Sequence, residues 1–167
     1  MGQKRIDAIV PVDLNANTSQ QILVRRGVTL SRPVSLDVAP AQPGILRVNE
    51  EPQIFTAGNT PALVSAQNPA RKDATILIRA TGLGITDPLV REGQAGPADP
   101  LAATKDRVNV TIGGAPARVV SAALMPGVVG VYEIAVAVPA EAVTGEAVPV
   151  VLSVSGQLSQ PVPIPVQ

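Results

Sequence analysis

The chain alternates short runs of Val, Ile, Leu and Thr with turn residues, chiefly Gly, Pro, Asn and Asp. No window of a dozen residues keeps an apolar period of about 3.6 residues between helix caps. Seventeen prolines and fourteen glycines instead favour many short strands. The pattern predicts an all-β fold, with strands near 6–11, 20–26, 29–38, 53–56, 61–65, 74–80, 107–112, 116–123, 130–138, 147–155 and 158–166.

The pattern of residues 6–39 returns at residues 134–167 with a constant offset of 128 residues. Eight of the 34 aligned positions are identical, well above chance, and most other pairs in the apolar runs exchange one aliphatic residue for another. Such repetition predicts a modular architecture in which one β unit is used twice. The identical pairs are Ile6/Ile134, Val10/Val138, Pro11/Pro139, Leu30/Leu158, Ser31/Ser159, Pro33/Pro161, Val34/Val162 and Val38/Val166.

Glycine pairs and prolines predict where these strands turn. Gly113-Gly114 lies between two β-type runs, and two adjacent residues that tolerate positive φ suit a tight hairpin. Arg26-Gly27 and Ser155-Gly156 lie at nearly the same place in the two copies, which predicts a hairpin in each. Pro33 and Pro161 indicate an edge strand or a bulge, because proline cannot donate to a ladder.

Residues 85–106 show no alternation and mix Pro, Gly, Asp and Ala. They predict a long loop, which we interpret as a solvated crossover between the two sheets of a sandwich. Loops longer than roughly 12–15 residues often carry function, so a binding role for this segment stays open.

The composition narrows the chemistry that the chain can carry. Thirteen Lys and Arg balance thirteen Asp and Glu, and there is no His and no Cys. The commonest general base, thiol nucleophiles, thiolate metal sites and disulfides are therefore missing. Phe55 and Tyr132 are the only aromatic residues, so the core must be aliphatic, and stacking platforms for sugars or bases are nearly excluded.

These residues do not combine into a recognisable catalytic motif. A serine nucleophile would need Lys4, Lys72 or Lys105 as its base, and no Ser-x-x-Lys spacing occurs. The carboxylate pairs Asp99/Asp106 and Glu50/Glu51 lie in polar stretches that have nothing to raise one pKa. We expect no enzymatic activity, no catalytic residue and no cofactor.

Candidate ligand motifs are equally incomplete. Gly82-Leu83-Gly84 lacks the third glycine and the helix of a phosphate loop, so it is interpreted as a turn. Carboxylates in the 85–106 loop could serve a calcium ion, although their spacing matches no EF-hand or repeat-type motif. These carboxylates are Asp87, Glu92, Asp99 and Asp106.

Lysines near asparagines raise one covalent alternative. Lys72 with Asn68, and Lys105 with Asn109, could form the isopeptide crosslinks of some immunoglobulin-like modules, but exposed lysines beside loops are the favoured interpretation.

Nucleic acid and membrane partners are not expected. The basic groups Arg71-Lys72-Asp73 and Lys105-Asp106-Arg107 are each diluted by an acid, and phosphate binding needs a basic footprint. No stretch of 18 apolar residues occurs, so we expect no membrane-spanning segment.

Four segments together resemble a known family of bacterial modules. "ATILIRATGLG" (74–84), "VNVTIGGAPARVVSA" (108–122), "PGVVGVYEIAVAVPA" (126–140) and "AVPVVLSVSGQLSQPVPIPV" (147–166) look like the uncharacterised C-terminal domain found in many copies in Solibacter-type acidobacterial proteins. More distantly they are similar to IPT/TIG immunoglobulin-like domains. The resemblance implies an immunoglobulin-like β-sandwich in an exported protein and brings no catalytic residues.

The same resemblance implies two unequal units. Residues 1–69 look like the trailing half of an earlier module with a linker, and residues 70–167 look like one complete module. Because half a sandwich leaves an apolar face and an open edge in water, something must cover residues 6–38. We expect pairing with residues 47–65 as a small sandwich; packing on the second module and strand exchange with another chain, including a homo-oligomer, are the alternatives.

The resulting functional hypothesis is a non-enzymatic structural or protein-interaction module of a larger exported bacterial protein, extracellular or at the cell surface. Its partners would be other modules of the same chain or another protein. The alternative is an accessory domain that binds carbohydrate or calcium through the 85–106 loop.

Overall fold

A computed structural model describes residue 6 and residues 8–167, and this part of the chain contains strands and no helix. The predicted all-β class is therefore confirmed for the described residues. The strands are β1 Thr18–Ile22, β2 Arg25–Arg26, β3 Thr29–Leu30, β4 Val34–Val38, β5 Gly44–Ile45, β6 Arg47–Val48, β7 Glu51–Pro52, β8 Ile54–Thr56, β9 Thr75–Thr81, β10 Thr86–Asp87, β11 Ala103–Thr104, β12 Val108–Ile112, β13 Ala115–Leu124, β14 Tyr132–Ala137, β15 Gly145–Val154, β16 Gln157–Leu158 and β17 Val162–Val166.

Period-two alternation explains the central strands. In β9, Ile76, Ile78 and Ala80 are fully buried, while the residues between them are partly exposed. The neighbouring strand β14 repeats the pattern with Tyr132, Ile134 and Val136 as its buried residues. Side chains two residues apart share one face of a strand, so each strand directs a continuous aliphatic row into the interior.

One long strand connects the two halves of a large antiparallel sheet. The first residues of β13 pair with β12, and its later residues pair with β14, with a bulge between Val119 and Ser121. One half runs β17–β15–β12–β13, and the other runs β8–β9–β14–β13. The buried side chains of both halves belong to a single apolar cluster.

Residues 44–64 join the main sheet at the edge of β9. Strands β5 and β8 both pair antiparallel with β9, and the side chains of Ile54 and Val64 enter the common apolar cluster. The expected pairing of residues 6–38 with residues 47–65 is therefore wrong in the described part of the chain. β1 pairs with β4 instead, since two segments adjacent in sequence close a hairpin at lower entropic cost than distant ones.

The glycines of Gly82-Leu83-Gly84 let the chain leave β9 tightly, as the turn interpretation expects. Gly82 and Gly84 adopt φ of +72° and +89°, and Leu83 is fully buried. The backbone N–H of Gln42 donates to the carbonyl of Gly82 at 2.8 Å. A side chain at Gly82 would collide with the Gln42 carbonyl, so this glycine allows the 40–43 segment to pack against the end of β9.

Most predicted turns and strands are confirmed, with differences at residues 6–11, at residues 61–65, where isolated bridges at Leu63 and Ser65 take the place of the predicted strand, and in the 85–106 loop. Gly113-Gly114, at φ of +61° and +83°, closes the β12–β13 hairpin, and both Gly27 and Gly156 lie in hairpins. The predicted strand at 6–11 is irregular at its described residues. The ends of the predicted 85–106 loop pair as β10 and β11, which leaves a shorter connection, 88–102, between them.

Tyr132 ties the segment between β9 and β10 to the core. Its ring is buried, its hydroxyl donates to the carbonyl of Gly84, and burial raises the pKa of the phenol above its ordinary 10.0. The unfolded chain therefore ionises this residue at lower pH than the folded chain does.

Stability should accordingly depend on Tyr132 in a pH-dependent way. At pH 8, we expect Tyr132→Phe to lower the free energy of unfolding by about 1 kcal/mol, the usual net value of one hydrogen bond. The contribution of Tyr132 is complete below pH 10 and falls as pH rises toward the higher folded pKa, because only the unfolded phenol is then ionised. Urea unfolding of both proteins from pH 8 to pH 11 checks this; a difference that stays constant would contradict it.

Candidate functional site

The amino-terminal strands form an amphipathic hairpin, which we call the ribbon (residues 17–38). β1 pairs with β4, and β2 pairs with β3 nearer the tip. One face carries Ser19, Gln21, Ser35 and Asp37 between the strand ends. The opposite side is called the apolar face, and its members are Ile22, Val24, Val34, Leu36 and Val38.

The ribbon has the same local structure as its sequence repeat, the β15–β17 hairpin. Ile22 pairs with Val34, as Val150 pairs with Val162 at the offset of 128 residues. The Val24 N–H donates to the hydroxyl of Ser31 at 3.0 Å, and the Leu152 N–H donates to that of Ser159 at 2.9 Å.

Both serine hydroxyls also donate to the next carbonyl, that of Arg32 at 3.0 Å and that of Gln160 at 3.1 Å. The two copies therefore share hydrogen bonds as well as sequence, and they are one structural unit used twice.

The two copies differ in how far their equivalent side chains are buried. Ile22, Val24 and Val34 are 48%, 44% and 63% exposed. Their counterparts Val150, Leu152 and Val162 are 0%, 0% and 3% exposed, because all three belong to the common apolar cluster. The ribbon thus presents to solvent the face that its repeat buries in a core, which is typical of a contact surface.

The edge of the ribbon is open as well. In the carboxy-terminal copy, residues 150–154 of β15 pair with β12 over its whole length. The equivalent residues, 22–26, have no strand partner outside their own hairpin within the described chain. Since the N–H and C=O of Val24 both face Ser31 across the hairpin, those of Leu23 and Arg25 point to the open side.

Two polar features modify this surface. Gln20 stands where the second copy has Val148, and its amide donates to the Thr18 hydroxyl at 3.1 Å. At the tip, the Nε of Arg25 donates to the carbonyl of Gly27 at 2.9 Å, which holds this guanidinium against its own turn. The sequence predicted an apolar face on this hairpin, although it also predicted that residues 47–65 would cover it. The arginines at the tip were not predicted as part of the surface, because the basic groups considered from sequence lie in the loops at 71–73 and 105–107.

The structure does not gather the carboxylates that the sequence associated with calcium. No group of three or more Asp or Glu residues in the described chain lies close enough to share an ion. Asp106 accepts a hydrogen bond from the Ser155 hydroxyl at 2.5 Å, and Glu92 accepts one from the Val12 N–H at 3.5 Å. Asp87 pairs with Ala103 in the β10–β11 ladder, and Asp99 is exposed in the 88–102 connection.

Two of the residues considered for crosslinks, Asn68 and Lys72, form hydrogen bonds with backbone carbonyls. The Asn68 amide donates to the Leu63 carbonyl at 3.1 Å, and the Lys72 N–H donates to the carbonyl of Gln167 at 3.0 Å. Asn109 and Lys105 are exposed, and Lys4 lies outside the described residues.

An open depression of about 590 Å³ lies beside the end of β8. Thr56, Asn68 and Thr75 line it, and Arg71 is the charged residue among its lining residues in the described chain. Without a nucleophile beside a base, this depression offers binding by hydrogen bonds at most.

A further polar cluster lies on the outer face of the sheet. The Arg79 guanidinium stacks over the Phe55 ring at 4.4 Å, and its Nε lies 3.8 Å from a carboxylate oxygen of Glu133. These residues come from the adjacent strands β8, β9 and β14, so the cluster links the added edge strand to the sheet.

Comparisons with protein-family models, curated proteins and solved structures give no match to this chain. Among the described residues, no helix has the length and apolar character needed to cross a membrane.

Equivalent substitutions in the two copies should have unequal effects on stability. We expect Leu152→Ala to cost about 2–5 kcal/mol, because it empties a site in the core. Val24→Ala, at the matched position in the ribbon, should change the main unfolding transition by no more than about 0.5 kcal/mol. Urea unfolding monitored by circular dichroism measures both, and losses of similar size would show that the ribbon face is already covered.

The apolar face should also bind a hydrophobic dye. We expect the folded chain to enhance bis-ANS fluorescence, and the double variant Ile22→Asp/Val34→Asp to lose most of that signal. The matched control Leu23→Asp/Ser35→Asp adds the same two charges to the opposite face and should keep it. Equal fluorescence from the two variants would contradict an exposed apolar face on the ribbon.

Proposed function

We propose that residues 41–167 form one complete immunoglobulin-like β-sandwich module, and that the ribbon is the trailing hairpin of another such unit. The pairing order supports this. Two rows, β8–β9–β14–β13 and β13–β12–β15–β17, share one aliphatic core, and they correspond to the ABED and CFG sheets of immunoglobulin-like sandwiches. The bridge of Ala70 alongside Val166, the one parallel contact with β17 in the described residues, adds an edge segment before β9.

This module begins earlier than the boundary at residue 70 expected from sequence. Ala41, Ile54 and Val64 are buried in the common apolar cluster, and β8 supplies the outermost strand of one row. A module cut at residue 70 would leave β9 paired with β14 alone and would expose the apolar side chains that Ile54 covers.

The role we propose is that of a non-enzymatic structural or protein-interaction module within a larger exported protein. The observation that carries it is the repeated hairpin, covered in one copy and open in the other. A repeat unit that cannot bury its own apolar face is stabilised by a neighbour, as in modular arrays. The absence of His and Cys from the sequence supports a role without catalysis.

The family and the location rest on the resemblance alone. We propose that the module belongs with the Solibacter-type C-terminal domains and, more distantly, with IPT/TIG domains, and that it works outside the cell. No arrangement of the described residues favours the carbohydrate- or calcium-binding alternative.

Truncation tests whether the proposed module is independent of the ribbon. β1 to β4 pack chiefly against one another, so we expect residues 39–167 to unfold in one transition within about 0.5 kcal/mol of the full chain. Residues 70–167 should lose more than about 2 kcal/mol, because that fragment lacks the buried Ile54. Urea unfolding of the three proteins provides the measurement.

Either of two results would contradict the proposed module. If residues 39–167 were unfolded, the ribbon would be part of the module's own core. If residues 70–167 were as stable as the full chain, the strands before residue 70 would be accessory.

A further inference from the structure

The carboxy-terminal copy indicates what the ribbon lacks. In that copy, β12 adds to the edge of β15, and the face is buried in the common apolar cluster. The ribbon repeats β15 and β17 in sequence, register and hydrogen bonding, yet the described chain supplies neither an edge strand nor a covering layer for Ile22 and Val34.

We propose that the ribbon is an acceptor site for an extended, alternating aliphatic β-strand from outside residues 8–167. The incoming strand pairs antiparallel with residues 22–26 and resembles β12, with aliphatic residues at alternate positions. This inference rests on the proposed function, because it takes the ribbon to be the trailing hairpin of a module.

The backbone of the ribbon determines which of its groups can form hydrogen bonds with the incoming strand. Leu23 and Arg25 direct their N–H and C=O groups to the open side, as their counterparts Val151 and Ser153 direct theirs to β12. The incoming strand thus meets a ready row of donors and acceptors, which is how edge strands recruit extended peptides.

The neighbouring side chains determine which residues the incoming strand must carry. In the carboxy-terminal copy, Val108, Val110 and Ile112 of β12 are buried beside Val154, Leu152 and Val150. A strand with Val or Ile at every second position would place the same kind of row beside Val24 and Ile22, whereas a strand with charges there would bury them unpaired.

The strand that adds to the ribbon does not come from a folded second copy of this chain. β12, the strand of matching type, is already paired on both sides, with β13 and β15. A second copy could donate it only by giving up both pairings and exposing Ile112, which is fully buried. Strand exchange between copies is therefore disfavoured relative to a strand that is free in its own chain.

The experiment tethers a donor strand to the full chain. A copy of residues 106–113 is fused ahead of Met1 through a flexible Gly-Ser linker, which raises its effective concentration to the order of 1 mM. We expect amide hydrogen exchange at Leu23 and Arg25 to slow by about tenfold or more, as expected for newly hydrogen-bonded strand groups. Exchange in β15 should not change.

Three matched controls separate strand addition from non-specific contact. A donor with Asp at the counterparts of Val110 and Ile112, which lie beside Leu152 and Val150 in the carboxy-terminal copy, should give no protection. In the acceptor, Ile22→Asp should abolish protection at Arg25, whereas Leu23→Asp, which adds the same charge on the opposite face at a side chain equally exposed at 48%, should retain it.

Each remaining outcome overturns the proposal. Unchanged exchange at both amides would show that the edge does not accept a strand even at this effective concentration. Faster exchange at residues 108–112 without slower exchange in the ribbon would show that the donor displaces β12, and concentration-dependent protection with dimers in sedimentation would show that the occupant is a second copy. None of these results affects the stability of residues 39–167, so failure of this inference is distinguishable from failure of the proposed module.

Discussion

The structure depends on burying alternate aliphatic side chains from both halves of one sheet in a single core. With one Phe and one Tyr in the whole chain, and only the Tyr among the buried core residues described, Val, Ile, Leu and Ala supply most of the packing. β13 makes this arrangement possible because it pairs with β12 at its start and with β14 beyond its bulge. The edge strand β8 completes the core by adding Ile54 beside Ile78 of β9.

Comparison of the two hairpins shows which of their properties depend on local sequence and which depend on tertiary packing. Val24 with Ser31, and Leu152 with Ser159, make the same hydrogen bonds, since these depend only on residues within each hairpin. Their burial differs almost completely, because burial depends on whether another layer lies over the face. A repeat in sequence therefore preserved the conformation of the unit, and its neighbours decided its environment.

Much of the candidate surface was foreseeable, and some of it was not. The half-module hypothesis predicted an apolar face and an open edge that residues 47–65 would cover, whereas Ile22 and Val34 are exposed in the structure. The sequence could not show that the edge at Leu23 and Arg25 stays unpaired, because this depends on which strand pairs with which. The same limit explains the wrong pairing expected for residues 47–65, whose short strands carry too few alternating residues to name a partner.

The sequence by itself determined the all-β class, the hairpin at Gly113-Gly114, the repeat and most strand positions. These follow from alternation and turn chemistry within a few neighbouring residues. Only the tertiary structure decided that residues 44–64 extend the β9 edge, that β13 divides its pairing between two partners, and that one copy of the hairpin is covered and the other open. Those choices depend on contacts between residues far apart in the chain, where many strands of similar composition compete for the same edges.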